Sequence, residues 1–175
     1  MESLRRDLQT HAARLYGYAY ALSKNPADAE DLVQDVFVKA MSAQRAPSDP
    51  DALRAWLFRI LRNAFIDLCR RTRREAALDV GREAEADEAF EPPVGAEPPV
   101  ITQLTVRFGL MKLSPPHREI LALVDIAGFT YGEAAEILDV PTGTVMSRLS
   151  RARAALIDAI GESNILPMRR RGRTA

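Results

Sequence analysis

An apolar period of three to four residues runs along this chain, stops between Glu75 and Pro99, and then resumes. That interruption constrains the fold more than any other feature. It holds the pairs Pro92-Pro93 and Pro98-Pro99 among alanines, glycines and the carboxylates Asp79, Glu83, Glu85, Asp87, Glu88, Glu91 and Glu97. So few apolar side chains cannot offset the entropy of ordering the backbone, so residues 75–100 read as a flexible acidic linker. A chain of 175 residues cut in this way makes two small domains, over 1–74 and 101–163. Beyond them lies a basic tail, 164–175, carrying Arg169, Arg170, Arg171 and Arg173.

Both domains read as helical, and the fold class is all-α. Leu4, Leu8, Ala12, Leu15, Ala19 and Leu22 form one apolar face. Asn25-Pro26 starts a second helix, since Asn caps and Pro suits the first helical position. Asp28 stands in its first turn, where the helix dipole favours a carboxylate. That helix turns Ala29, Leu32, Val33, Val36, Phe37 and Ala40 inward, and Asp28, Asp31, Gln34, Asp35 and Val38 outward. Residues 46–51 read as a loop. A third helix, from about Leu53, has the stripe Leu57, Ile60, Leu61, Ala64, Phe65 and Leu68, opposed by Arg59, Arg62, Asn63, Asp67, Arg70 and Arg74.

After the linker, Ile101, Leu104, Phe108 and Met111 begin a short helix. Ser114-Pro115 begins another, with Ile120, Leu121, Val124 and Ala127 inward and a stop at Gly128. Thr130 and Glu133 have capping-box spacing for a brief helix ending near Leu138. Asp139-Val140-Pro141 then makes a tight turn into a longer helix from Thr142 to about Ile160, with Val145, Leu149, Ala152, Leu156 and Ile160 inward.

Composition excludes several classes of function. The single Cys69 forms no internal disulfide and suits a reducing compartment. With only His11 and His117, no metal-ligand spacing assembles, and no cofactor motif is present. No run of about 18 apolar residues and no signal-peptide pattern appears, so a cytoplasmic protein without membrane insertion is expected. Asp28, Asp31 and Asp35 stand beside no nucleophile, metal or phosphate-cradling glycine loop, so an enzyme is not expected. Their face is either solvated or docks on a basic partner; exposed Val38 beside them favours docking.

A short helix, a tight turn and a longer basic helix make a helix-turn-helix. On the longer helix Thr144, Ser147, Arg148 and Arg151 fall at i, i+3, i+4 and i+7, opposite the apolar stripe. Arg pairs bidentately with guanine, and Ser and Thr adapt to several bases. Arg153 lies to one side and suits a phosphate. The plainer reading is an amphipathic helix with a solvated basic face. Trp56 and Phe58 suit stacking on bases, with a place in the core as the alternative for Trp56, and the arginines near them are either solvated or bind nucleic acid.

The blocks 25–37 (NPADAEDLVQDVF) and 55–67 (AWLFRILRNAFID) resemble the promoter-melting domain of extracytoplasmic-function sigma factors of bacterial RNA polymerase. Residues 113–121 (LSPPHREIL), 128–138 (GFTYGEAAEIL) and 143–153 (GTVMSRLSRAR) resemble that family's second DNA-binding domain. The resemblance covers roughly residues 11 to 160 and keeps the family's order. It implies that Asp28, Asp31, Gln34, Asp35 and Val38 meet the clamp helices of the polymerase β′ subunit. It implies a −10 element site of Trp56, Arg59, Arg62, Asn63, Asp67 and Arg70, with the 46–51 loop. It also implies a −35 element site of Thr144, Ser147, Arg148, Ser150, Arg151 and Arg153, on a domain that touches the β flap. Core polymerase, promoter DNA and an anti-sigma factor are the implied partners. Met146 stands where the family often has Lys or Arg, and Asp139 replaces a frequent turn glycine. The rival readings are a ligand-sensing helix-turn-helix repressor, an enzyme, and an adaptor that has lost DNA binding.

Overall fold

The computed structural model describes residues 2–78 and 98–163. Seven α-helices follow one another there: α1 Glu2–Ser23, α2 Pro26–Ser42, α3 Pro50–Leu78, α4 Pro98–Lys112, α5 Pro115–Leu121, α6 Tyr131–Leu138 and α7 Thr142–Ser163. A π-helical turn, Ala122–Ile126, continues α5.

The starts of the helices follow from local chemistry. Asn25 Oδ1 accepts from the amides of Ala27 (2.8 Å) and Asp28 (3.3 Å), so α2 opens with two of its four orphan donors satisfied. Asp49 Oδ2 accepts from Ala52 N at 2.8 Å and Pro50 takes the first helical position, which starts α3 three residues before the expected Leu53. Thus the end of the expected 46–51 loop is helical. At the other end α3 reaches Leu78, and α4 begins at Pro98 instead of Ile101, so both edges of the expected 75–100 linker are helix. The rest of that linker and the 164–175 tail lie outside the described residues.

The first domain packs α1, α2 and α3 through Leu8, Leu15, Ala29, Leu32, Val36, Leu57 and Leu61, all buried. Full burial of a leucine contributes ~1.5–3 kcal/mol, which is why a three-helix unit with this many suffices. Val33, Ile60, Phe65 and Leu68, expected inside, are half-buried at its margin. The second domain packs α4, α5 and α6 around α7, with Ile120, Leu123, Ile137, Val145, Leu149 and Ala152 inside. Gly109 lets α4 lie close on α7: a Cβ there would sit 2.9 Å from Ile160 Cγ1 and 3.0 Å from Leu156 Cδ1.

The sequence predicts two domains joined by a tether. Instead they share one apolar cluster, because α1 and α3 pack on α5, the π turn and α6. The π turn directs this contact. Ala127 N donates to Ala122 O (2.9 Å), Gly128 follows at φ +77°, and Phe129 N donates back to Leu123 O (3.1 Å). Its extra residue and the left-handed glycine carry Phe129 into the first domain, against Phe58.

The turn of the helix-turn-helix depends on a second left-handed residue. Asp139 ends α6 at φ +55°, ψ +52°, a region that costs an L-residue about 1–2 kcal/mol and asparagine or aspartate somewhat less. Asp139→Gly is expected to raise stability by about 0.5–1 kcal/mol, and Gly128→Ala to lower it by about 1 kcal/mol. Urea midpoints of the full chain, at unchanged slope, check both signs.

Candidate nucleic-acid interface

On α3 the side chains form two stripes with different surroundings. Trp56, Arg59, Asn63, Asp67 and Arg70 follow a three- and four-residue spacing along one face. Arg59, Asn63, Asp67 and Arg70 are exposed, and Trp56 is half-buried against the core, so it anchors the stripe. Arg70 pairs loosely with Asp67 at 3.5 Å. Arg62, expected on this face, lies on the neighbouring stripe with Arg54 and Phe58, which faces the second domain.

Each side chain of that second stripe meets the second domain, although Arg54 Nε is buried without a hydrogen-bond partner. Arg62 Nε donates to Glu119 Oε1 at 2.9 Å, and Tyr18 Oη donates to the same oxygen at 3.3 Å. Arg54 Nη2 donates to Glu133 Oε1 at 2.8 Å, while its guanidinium lies 4.3 Å from the centre of the Phe129 ring. Phe58 stacks between Tyr18 (centroids 5.3 Å) and the edge of Phe129 (4.8 Å, 78°). Arg118, which is buried, donates to the carbonyls of Leu113 (2.9 Å), Ala21 and Leu22 (3.5 Å). The last two belong to the C-terminal turn of α1, whose carbonyls have no helical partner and attract a cation.

Burial moves several protonation equilibria at this seam. It pushes the Tyr18 phenol well above its ordinary value, and the Glu119 carboxylate adds to this, so Tyr18 stays a neutral donor. Burial and then the charges of Arg14 and Arg54 lower His11, whose Nδ1 is buried without a hydrogen-bond partner. For Glu133, burial acts upward but is outweighed by the Thr130 amide and hydroxyl and by Arg54, so its carboxyl is held low. Glu133 Oε2 completes the capping box, accepting from Thr130 N and Oγ1, each at 2.7 Å.

On α7, Ser147, Ser150, Arg151 and Arg153 are exposed, and Thr144 and Arg148 are half-buried. Ser147 Oγ donates to Thr144 O (3.1 Å), and Arg151 Nε to Ser147 O (3.2 Å), which lays the arginine along the outer face of the helix. Met146 is exposed in the second turn. Arg153 is held by Asp125 of the π turn in a two-point pair, 2.6 Å from Oδ1 and 3.1 Å from Oδ2, which raises its pKa. On α2, Asp31, Gln34, Asp35 and Val38 are exposed and Asp28 is partly so. Among the described residues no group of three or more His, Cys, Asp or Glu side chains is placed to hold a metal.

Sequence reasoning missed the seam: Arg54, Phe129, Arg118 and Glu119 were assigned no role. Their one signal is the charged pair Arg118-Glu119 directly before the apolar run Ile120–Val124, which does not name a partner.

The Sigma-70 region 2 profile matches residues 8–75, and the Sigma-70 region 4 profile matches 106–156. The extracytoplasmic-function sigma factor EcfG of Rhodopseudomonas palustris (strain TIE-1) is 35% identical over 158 residues, covering 89% of this chain and 83% of that protein. The chain belongs to the extracytoplasmic-function sigma factors. SigM of Mycobacterium tuberculosis (strain H37Rv) is 30% identical, covering 88% and 75% of the two chains. The solved structure of the sigma factor RpoE in complex with the anti-sigma factor NepR from Bartonella quintana superposes with a TM-score of 0.73 at 32% identity, over 92% and 98%. This sigma factor is of the alternative type and directs promoter-specific initiation by RNA polymerase. Its relatives are sigma factors, which are not enzymes.

The Asp125 pair holds the Arg153 guanidinium, which would otherwise be open to an anion. Asp125→Asn releases the guanidinium and removes a negative charge beside it. The expected result is tighter duplex binding by the holoenzyme on all sequences alike, with a salt dependence steeper by about one unit. Titration of two unrelated promoters at several salt concentrations checks it; a gain on one promoter only would contradict it.

Proposed function

We propose that the sigma factor divides its work between its domains as its exposed stripes suggest. The first domain (1–74) docks on core polymerase through Asp28, Asp31, Gln34, Asp35 and Val38. It reads the −10 element with Trp56, Arg59, Asn63, Asp67 and Arg70, joined by Arg62 when that side chain is free. The second (101–163) reads the −35 element with Thr144, Ser147, Arg148, Ser150, Arg151 and Arg153, and rests on the β flap. The 75–100 segment is the tether between them. The observation that carries this reading is the presence of two exposed polar stripes, one on α3 in the first domain and one on α7 in the second. An anti-sigma factor is the regulatory partner, as NepR is for the Bartonella sigma factor. The site of action is the cytoplasm, and the chain itself catalyses nothing. Among the described residues no helix is long and apolar enough to cross a membrane.

Docking is tested by charge reversal. Asp31→Lys with Asp35→Lys is expected to abolish capture by core polymerase while circular dichroism stays that of the parent, because both side chains are exposed. Undiminished capture would move the docking site elsewhere.

Base reading is tested by run-off transcription and holoenzyme affinity on a promoter library varied only in the −35 element. Arg151→Ala is expected to cost ~1–3 kcal/mol on the preferred sequence and to relax preference at one or two positions. A uniform loss with preference unchanged would transfer the specific contact to Arg148.

A further inference from the structure

Apolar side chains exposed singly are ordinary on a protein surface, so place decides which of them has a task. Among the described residues the large exposed ones are Val38, Val106, Ile126, Tyr131, Met146 and Ile157. Of these, Met146 stands in the first two turns of α7, where the side chains of a reading helix meet base edges. It is 54% exposed. Its row on the helix runs from Gly143 through Met146 to Ser150, at i, i+3 and i+7. Gly143 has no side chain and Ser150 is short and itself exposed, so neither covers the thioether. A Cβ at Gly143 would meet nothing within 4 Å, so this flank of the helix lies open. The other flank is polar and tied along the helix, with Ser147 donating to Thr144 O at 3.1 Å and Arg151 to Ser147 O at 3.2 Å.

The chemistry of the groove limits what Met146 can meet there. Base edges in the major groove present nitrogen and oxygen donors and acceptors, and the apolar group among them is the thymine C5-methyl. A thioether donates nothing and accepts weakly, so a hydrogen-bonding edge or a phosphate gains little from it. Its unbranched chain has three rotatable bonds, which let the sulfur and terminal methyl settle on another apolar group. We propose that Met146 is a specificity-determining residue of this sigma factor and reads the C5-methyl of a thymine in the −35 element. The inference deepens the reading of α7 given above and rests on it.

The test measures affinity of the holoenzyme, formed with the full chain, for the preferred promoter. Each thymine of the −35 element, on either strand, is replaced singly by deoxyuridine. That exchange removes the methyl and keeps O4 and the Watson–Crick pairing. At one thymine the parent is expected to lose about fourfold in affinity, the contribution of one buried methyl. Met146→Ala is expected to lose nothing further there. Met146→Lys is expected to lose the same sensitivity and to steepen the salt dependence by about one unit, because an ammonium on this flank reaches a phosphate. Ala and Lys are good helix formers and the position is exposed, so circular dichroism of both variants is expected to match the parent. A −35 element in which no methyl matters, or one whose loss the parent and Met146→Ala feel equally, would overturn the assignment. So would a weakening by Met146→Ala that is uniform over promoters while methyl sensitivity persists, since that places the side chain on polymerase. An unchanged salt dependence in Met146→Lys would put this flank outside the groove, with the same consequence. Arg151→Ala, measured alongside, separates the two levels. Where it relaxes sequence preference but the methyl tests fail, the methyl contact alone falls; where it too leaves preference unchanged, the reading of α7 falls with it.

Discussion

Phe58 is the ring on which both halves of the molecule converge. It lies against Tyr18 of α1 on one side and receives the edge of Phe129 on the other, so the core of the first domain continues into the second. An aromatic side chain buries 150–250 Å² and gains about 0.5–1.5 kcal/mol more from a well-placed ring partner. Three such rings in contact give the seam an apolar centre. The ion pairs around it then act as a rim that fixes orientation, since their net contribution to stability is small once desolvation is counted. The placement of α6 and α7 relative to α3 therefore follows from where Phe129 is delivered. That in turn depends on the π turn and on Gly128.

Buried charge gives the seam its specificity. A guanidinium removed from water needs its donors satisfied, and Arg118 meets this with carbonyls from both domains. The acceptors at the end of α1 are unpaired by the geometry of any helix, so the first domain offers a ready socket for a cation. Tyr18, kept neutral by burial, adds a hydroxyl donor to Glu119, and Arg62 adds a charged one. Shifting either domain by one helical turn would leave several of these groups unpaired. Polar networks of this kind select one arrangement from the many that an apolar face alone would accept.

The helices were legible in the sequence because their causes are local. The Asn25-Pro26 start, the Thr130–Glu133 capping box and the left-handed turn at Asp139 each depend on residues within four positions of one another. Spacing placed Val145, Leu149 and Ala152 of α7 in the core, while Leu156 and Ile160, expected with them, are half-buried and Ala159 is buried instead. The start of α3 lies three residues before its apolar period begins, because Asp49-Pro50, which has the composition of a loop, also serves as a cap and first helical residue. The seam was illegible for a different reason. Arg62 lies 57 residues from Glu119, and Tyr18 lies 101 from it, and no period within either helix reports such a pairing. The π turn was equally hidden: an α-helical period turns Val124 inward, whereas the π turn buries Ala122 and Leu123 and leaves Val124 half-buried. Of the candidate site, the exposed faces of α2, α3 and α7 could be foreseen; the partners of Arg62 and Arg153 could not.

Glu133 divides its two oxygens between tasks that belong to different levels of the structure. Oε2 accepts from the backbone and hydroxyl of Thr130 and so helps start α6, while Oε1 holds Arg54 of the first domain. One carboxylate group thereby joins the local order of the helix-turn-helix to the association of the two domains. Coupling of this sort is reciprocal: whatever orients Glu133 for Arg54 also steadies the first turn of α6, by the same free energy. Loss of the Arg54 contact would therefore loosen the first turn of α6 slightly, and with it the support that α6 gives to α7.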